Sequence, residues 1–173
     1  MRTNMFSDYK YGILLFFIAS FSLAFAFVSE YVFDLTPCIL CIYQRMPYFA
    51  LIFLALGILT MSYYKRSTYI FQKTICIIWF FSSLLALYHV GVEQHVFPMP
   101  TECSHPPSLS RASSSEELQR LIYNRIAVRC DVPAWTFLGV SMAGWNALWS
   151  LLWMMVTYAY YRRSYRHSFV LSK

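Results

Sequence analysis

The sequence predicts an all-α integral membrane protein, a four-helix bundle with a short amphipathic helix lying on the outer surface in the third connection. Three observations predict it. First, 58% of the 173 residues are hydrophobic and 13% are charged, against about 25% charged in an average soluble domain. Second, the apolar residues fall in four uncharged blocks, Tyr11–Ser29, Met46–Tyr64, Thr74–Val92 and Thr136–Tyr161. Each is close to the ~20 residues that a spanning helix needs, and none shows the polar face of a soluble amphipathic helix. Third, the charges are sorted. Arg2, Lys10, Lys65, Arg66, Lys73, Arg162, Arg163, Arg166 and Lys173 lie in the tails or the second connection. Seven of the eight acidic residues, all but Asp8, lie in the first and third connections. The net charge of +6 therefore speaks of topology rather than of nucleic acid. The positive-inside rule puts both termini in the cytoplasm, so the first and third connections face outward with four of the five cysteines.

The expected spans are approximately 11–29, 46–64, 74–92 and 136–161, with outer loops at approximately 30–45 and 93–135. Lys10, the apolar run and Ala24-Phe25-Ala26 also resemble a cleavable signal peptide. The run stays apolar past Ala26, however, and reads as the first span. The first outer connection is short, which sets Cys38 and Cys41 at the membrane surface. Thr36 can cap a helix and Pro37 suits its first position. Cys38 then falls in the first turn, where the helix dipole favours a thiolate. On such a helix Cys38 and Cys41 share a face, and Arg45 lies one turn further along it. Pro47 removes a backbone bond to Tyr43 and predicts a kink.

The second connection, around Ser62–Lys73, is basic, and Tyr63 and Tyr64 suit the interface belt. Cys76 near the inner end of the third span reads as a buried structural thiol. His89, at that span's outer end, reads by composition alone as an interfacial polar residue. The long outer loop carries Pro98, Pro100, Pro106 and Pro107 around Cys103. Ser113 to Glu117 then makes a capping box, followed by Leu118, Leu121, Ile122 and Ile126 on one helical face. That is the amphipathic surface helix, and a helix docked on the other loop is the alternative. Cys130 follows it. In the fourth span Gly139, Ala143 and Ala147 allow close helix approach. Trp145, Trp149 and Trp153 read as lipid contact or packing.

The cysteines carry the strongest chemical signal. A zinc site would want tetrahedral ligands, usually in two close pairs, and Cys103 and Cys130 are far apart in sequence. Two structural disulfides are possible on an oxidising face, although a bridge across two residues constrains little. The third reading is catalytic thiol–disulfide exchange, with one pair at the lipid surface and one on the long loop.

Cys38-Ile39-Leu40-Cys41-Ile42-Tyr43-Gln44-Arg45 resembles the signature of the DsbB family of bacterial disulfide-forming membrane proteins. Tyr88-His89 with Gly91-Val92-Glu93 resembles the end of that family's third helix. Arg129-Cys130-Asp131, Trp135, Phe137-Leu138-Gly139 and Ser141-Met142 resemble its run into the fourth. The resemblance covers essentially the whole chain. It implies an inner-membrane enzyme that reoxidises DsbA, a soluble periplasmic thiol oxidase of thioredoxin fold, and passes two electrons to ubiquinone or menaquinone. It further implies that DsbA attacks Cys103, that Cys130 engages Cys38, and that Cys41 is freed as a thiolate facing the quinone. Arg45 would stabilise that thiolate and polarise the quinone carbonyl, and His89 would line the same site. Three rivals stand beside this reading. One is a paralogue dedicated to a single specialised oxidase. Another is a relative of vitamin K epoxide reductase, whose quinone-facing pair lies late in the bundle. The third is a non-catalytic scaffold or metal-binding membrane protein.

Overall fold

The computed structural model describes residues 5–100, 103 and 129–170, with side chains for 6–100, 103 and 129–164. The amphipathic helix expected after Ser113 lies outside the described residues. Among these there are four long helices, α1 (Met5–Tyr31), α2 (Ile39–Tyr63), α3 (Tyr69–Glu93) and α4 (Met142–Val170). A two-stranded hairpin, β1 (Thr136–Phe137) and β2 (Val140–Ser141), precedes α4. The first three helices are each long and apolar enough to cross a membrane. Their outward faces carry Phe17, Phe21, Phe53 and Phe81, all exposed. Such a surface suits hydrocarbon and would be a liability in water.

Helix α1 packs along α2, α3 packs along α4, and α2 joins the two pairs through α3. The core at these seams contains Leu15, Ala19, Leu51, Ala55, Ile58, Ile75 and Trp79. Ala19 and Ala55 let neighbouring backbones approach, as small residues do between helices in lipid. Ala143 and Ala147 on α4 are buried too, as their spacing predicts.

The fourth segment departs from expectation at its start. Residues 136–141 are not helical but form the β-hairpin, with Thr136 opposite Ser141 and Phe137 opposite Val140. Leu138 and Gly139 both take positive φ, 54° and 76°. A two-residue hairpin turn of the I′ kind needs that at both central positions. Gly139 is therefore a turn residue rather than a helix-packing one. Ser141 ends β2 and caps α4, its hydroxyl accepting the Gly144 N–H at 3.1 Å. The helix then runs to Val170, past the expected end at 161. Helix α2 likewise runs on through Pro47.

Asp8 is buried between three helices. Its carboxylate accepts from Thr68 (2.8 Å), Gln72 (3.2 Å) and Tyr160 (2.6 Å). Tyr11 stacks on Tyr160 and donates to Thr157. This network ties α1 to α4 at their inner ends. Towards the other end a cavity separates the same two helices.

Candidate functional site

The site begins at the first turn of α2. Cys38, rather than Thr36, is the capping residue, with extended backbone at φ −72° and ψ 168°. Its sulfur accepts the Cys41 N–H at 3.3 Å, the bond that a capping oxygen usually accepts. The helix therefore starts two residues later than the Thr-Pro signal predicts, because the thiol itself satisfies the exposed amide. Cys38 is thus fixed at the positive end of the helix dipole.

The two sulfurs of Cys38 and Cys41 are 3.0 Å apart and unbridged. Cys103 and Cys130 form a disulfide with Cα atoms 5.7 Å apart. Cys38, Cys103 and Cys130 share one buried cluster with Leu40 and Val92, and Cys41 packs against it. The fold therefore brings four cysteines from three segments together. Arg129 and Asp131 join across Cys130 through a 2.9 Å hydrogen bond and an ion pair. That guanidinium holds the Asp131 carboxyl below the usual carboxylate range. Cys76 lies more than three turns of α3 away from His89 and takes no part.

His89 is 3% exposed. Its Nε2 is 3.5 Å from the Cys38 sulfur, and its Nδ1 is 3.0 Å from Gln44 Nε2. Glu93, one turn on, places a carboxylate oxygen 3.9 Å from the same Nε2, and Ser141 donates to that carboxylate. The Cys38 thiol is pushed down to about 5, first by the hydrogen bond from Cys41 and then by His89, against the opposing effect of burial. Thiolate reactivity is present above the lowered pKa and is lost as pH falls through it. Alkylation of Cys38 is accordingly expected to stay level from about pH 8 to about pH 6 and to fall near pH 5. A midpoint near the ~8.5 of a free thiol would contradict this geometry.

Cys41 faces the other way, into a cavity of about 420 Å³ between α1, α2 and α4. Arg45, Gln44, Tyr48 and Asn146 share its lining, and Phe21, Phe25, Trp145 and Trp149 make its walls. Trp135 and Phe137, from the hairpin segment, close it above. Two members of the tryptophan stripe line this cavity as well, Trp149 while packing against the core and Trp145 with an exposed ring. Arg45 pairs with Glu30 and lies over the Phe27 ring at 5.1 Å. His89 is not among the lining residues; it sits behind the sulfurs, against Cys38.

Gln44, Tyr48, Asn146, Glu30 and Glu93 are site residues that sequence reasoning missed. One signal was available for Asn146: an amide inside an apolar span is a functional-site hypothesis by default. As for metal, Cys38, Cys41 and His89 offer three ligand atoms within 4.8 Å of one another. A closed zinc site takes four, and this group supplies three among the described residues. A thiolate serves either coordination or exchange, and the Cys103–Cys130 disulfide packed against Cys38 supplies an exchange partner.

The model of the family described as "Disulfide bond formation protein DsbB" matches residues 10–160. The chain is 31% identical over 151 residues to "Uncharacterized protein RP370" of Rickettsia prowazekii, covering 86% of each. It is 30% identical over 152 residues to "Disulfide bond formation protein B" of Pseudoalteromonas atlantica, covering 83% of this chain and 85% of that one. The protein of the same name from Actinobacillus pleuropneumoniae is 24% identical over 161 residues, covering 88% and 87%. No solved structure matches the chain.

Proposed function

The chain belongs to the DsbB family of disulfide bond formation proteins, and from that premise and the site's geometry we propose that it is a quinone-dependent protein disulfide oxidoreductase. It reoxidises a DsbA-like periplasmic oxidase of thioredoxin fold and passes the electrons to ubiquinone or menaquinone. One observation carries this reading. Cys38 packs with the Cys103–Cys130 disulfide, while its neighbour Cys41 lines an apolar cavity together with Arg45. Electrons entering at the outer pair thus have a sulfur path to a site for a flat apolar molecule.

The residues fit such a molecule. The walls are aromatic and aliphatic, and the polar groups gather where Cys41, Gln44, Arg45 and Asn146 meet. Guanidinium and amide N–H groups can hold a quinone carbonyl oxygen. When bound, a quinone accepts two electrons and two protons. All other chemistry belongs to the chain. A partner thiolate attacks Cys103, forming a mixed disulfide and releasing Cys130. Cys130 attacks Cys38 of an inner disulfide and releases Cys41. The partner's second thiol then leaves as a disulfide with the first, freeing Cys103. Cys103 attacks Cys130, restoring the outer disulfide and releasing Cys38. A sulfur of low pKa leaves faster, which suits Cys38 to that last exchange. The two inner thiols then give up two electrons and two protons and close their own disulfide. Arg45 opposes the negative charge that develops in the cavity during this step. Because Cys103 is 3% exposed, the packing around it must open before the partner can reach it.

We place all four helices across the bacterial inner membrane with both termini cytoplasmic and the reactive cysteines periplasmic. In spheroplasts, an impermeant thiol reagent should then label residues 38, 41, 103 and 130 after reduction and spare Cys76; labelling of Cys76 alone would reverse the orientation. The function itself is tested by steady-state loss of quinone absorbance with purified protein and a reduced DsbA-like oxidase. Turnover that needs both components is expected, and turnover unaffected by omitting the oxidase would refute the reading.

A further inference from the structure

Four side chains from three segments form a hydrogen-bond chain whose amides, as oriented in the structure, give each neighbour a complementary role. The Asn146 carboxamide oxygen can only accept, so Tyr48 donates to it. Asn146 therefore presents its amide nitrogen to Gln44, donating to Oε1 at 2.9 Å. Gln44 in turn presents its own nitrogen to His89, at 3.0 Å from Nδ1. An amide nitrogen cannot accept. In this orientation Nδ1 carries the lone pair, and the proton of a neutral imidazole sits on Nε2. That nitrogen is the one 3.5 Å from the Cys38 sulfur. Gln44, Tyr48 and His89 are all buried, and low dielectric strengthens such bonds.

We propose that Tyr48, Asn146 and Gln44 are positioning residues that lock His89 as the Nε2–H tautomer, and that this neutral imidazole is the hydrogen-bond donor to the Cys38 sulfur. The inference rests on the reading of Cys38 as a redox sulfur and deepens it. The usual way to favour a thiolate is a nearby cation. Here Arg45 is turned to Glu30 and the cavity, and no other cation faces Cys38 among the described residues. The ionisable groups around His89 and Cys38 are Cys41 on α2, Glu93 on α3 and the Arg129–Asp131 pair beside Cys130. The chain supplies a directed N–H without a formal charge. A donor fixed in this way serves Cys38 equally as attacked sulfur and as leaving group, and it need not gain or lose a proton during exchange. It also explains why Gln44 and His89 are buried between apolar helices: each is satisfied by the next, and the last N–H faces sulfur.

The test uses the full-length protein in detergent with the outer disulfide intact and the inner pair reduced. Nitrogen NMR of labelled histidine should show a protonated Nε2 and an unprotonated Nδ1 for His89. Gln44→Met keeps the length of the side chain and removes both bonds. It should release the tautomer preference and lower the Cys38 ionisation constant about tenfold, moving the midpoint of its alkylation profile up by about one pH unit, the scale of one lost hydrogen bond. Asn146→Leu touches neither the imidazole nor the sulfur, yet it should move both readouts in the same direction. Tyr48→Phe, which removes one hydroxyl and keeps the ring, should do so more weakly and guards against a packing defect. An Nδ1–H tautomer in the unaltered protein, or variants that leave the tautomer and the Cys38 titration unchanged, would overturn the proposal. Neither readout involves quinone, so a locked tautomer in a protein that never reduces quinone would defeat the functional reading and leave the lock standing.

Discussion

Replacing Cys130 by serine is expected to make a mixed disulfide between Cys103 and the thioredoxin-fold partner the dominant species on a non-reducing gel. The structure places Cys103 in a disulfide with Cys130, so the variant leaves Cys103 as a thiol. That thiol attacks the partner's disulfide, forms one new S–S bond and frees one partner sulfur. In the unaltered chain Cys130 then attacks Cys103 and expels the partner. Without it, and with the inner pair held as a disulfide by excess quinone, the nearest free nucleophile is the partner's own second thiol, which merely reverses the step. At least about tenfold more complex should accumulate than in the parent, on the logic that resolution needs a second adjacent thiol. Cys103→Ser should form no complex at all, while Cys38 and Cys41 remain oxidisable by quinone. A complex that persists in Cys103→Ser would mean that Cys38 meets the partner directly and that the outer disulfide is a clasp.

Arg45→Ala is expected to slow quinone reduction on the order of a hundredfold, the usual scale for removing one donor to developing negative charge. Two effects add. The cavity loses its cation, and Glu30 loses its partner at a partly buried position. The unpaired carboxylate then opposes charge building up nearby. Arg45→Lys keeps the charge but not the planar fork that can hold Glu30 and a carbonyl together, and it should fall between. Glu30→Gln separates the two effects, since it keeps the guanidinium and removes the competing acid. Thiol exchange at Cys103 should proceed in all three variants. A parallel loss of exchange would mark Arg45 as a folding residue. Unchanged quinone turnover in Arg45→Ala would remove it from the mechanism.

The long helices were legible because a membrane-crossing helix follows a coarse rule, about twenty uncharged residues. Three of the four blocks coincide with long helices, lengthened at their starts where residues 5–10, 39–45 and 69–73 add turns. The fourth began late for a reason that composition hides. Leu138 is an apolar residue in an apolar block, and nothing about it announces a positive φ. The cysteine motif was legible as chemistry but not as geometry, since Cys38 took over the cap expected of Thr36. The partners of His89 were the least visible. Gln44 is 45 positions away and Asn146 is 102 from Gln44. Such contacts depend on how α2, α3 and α4 pack, which local spacing does not encode. The role of Asp8 was hidden for the same reason: Thr68, Gln72 and Tyr160, which close around it, come from other parts of the chain.

The central claim is that the Cys38–Cys41 dithiol gives its electrons to a quinone held beside Cys41 and Arg45. It is tested most directly by a single anaerobic turnover. Protein with the outer disulfide intact and the inner pair reduced is mixed with one equivalent of a soluble quinone, and thiols and quinol are counted together. The account predicts that one quinol forms for every two thiols lost, that the lost thiols are Cys38 and Cys41 by peptide mapping, and that the Cys103–Cys130 bridge is untouched. Quinone that stays oxidised while the inner pair remains reduced, or thiols lost from Cys103 and Cys130 instead, would contradict it.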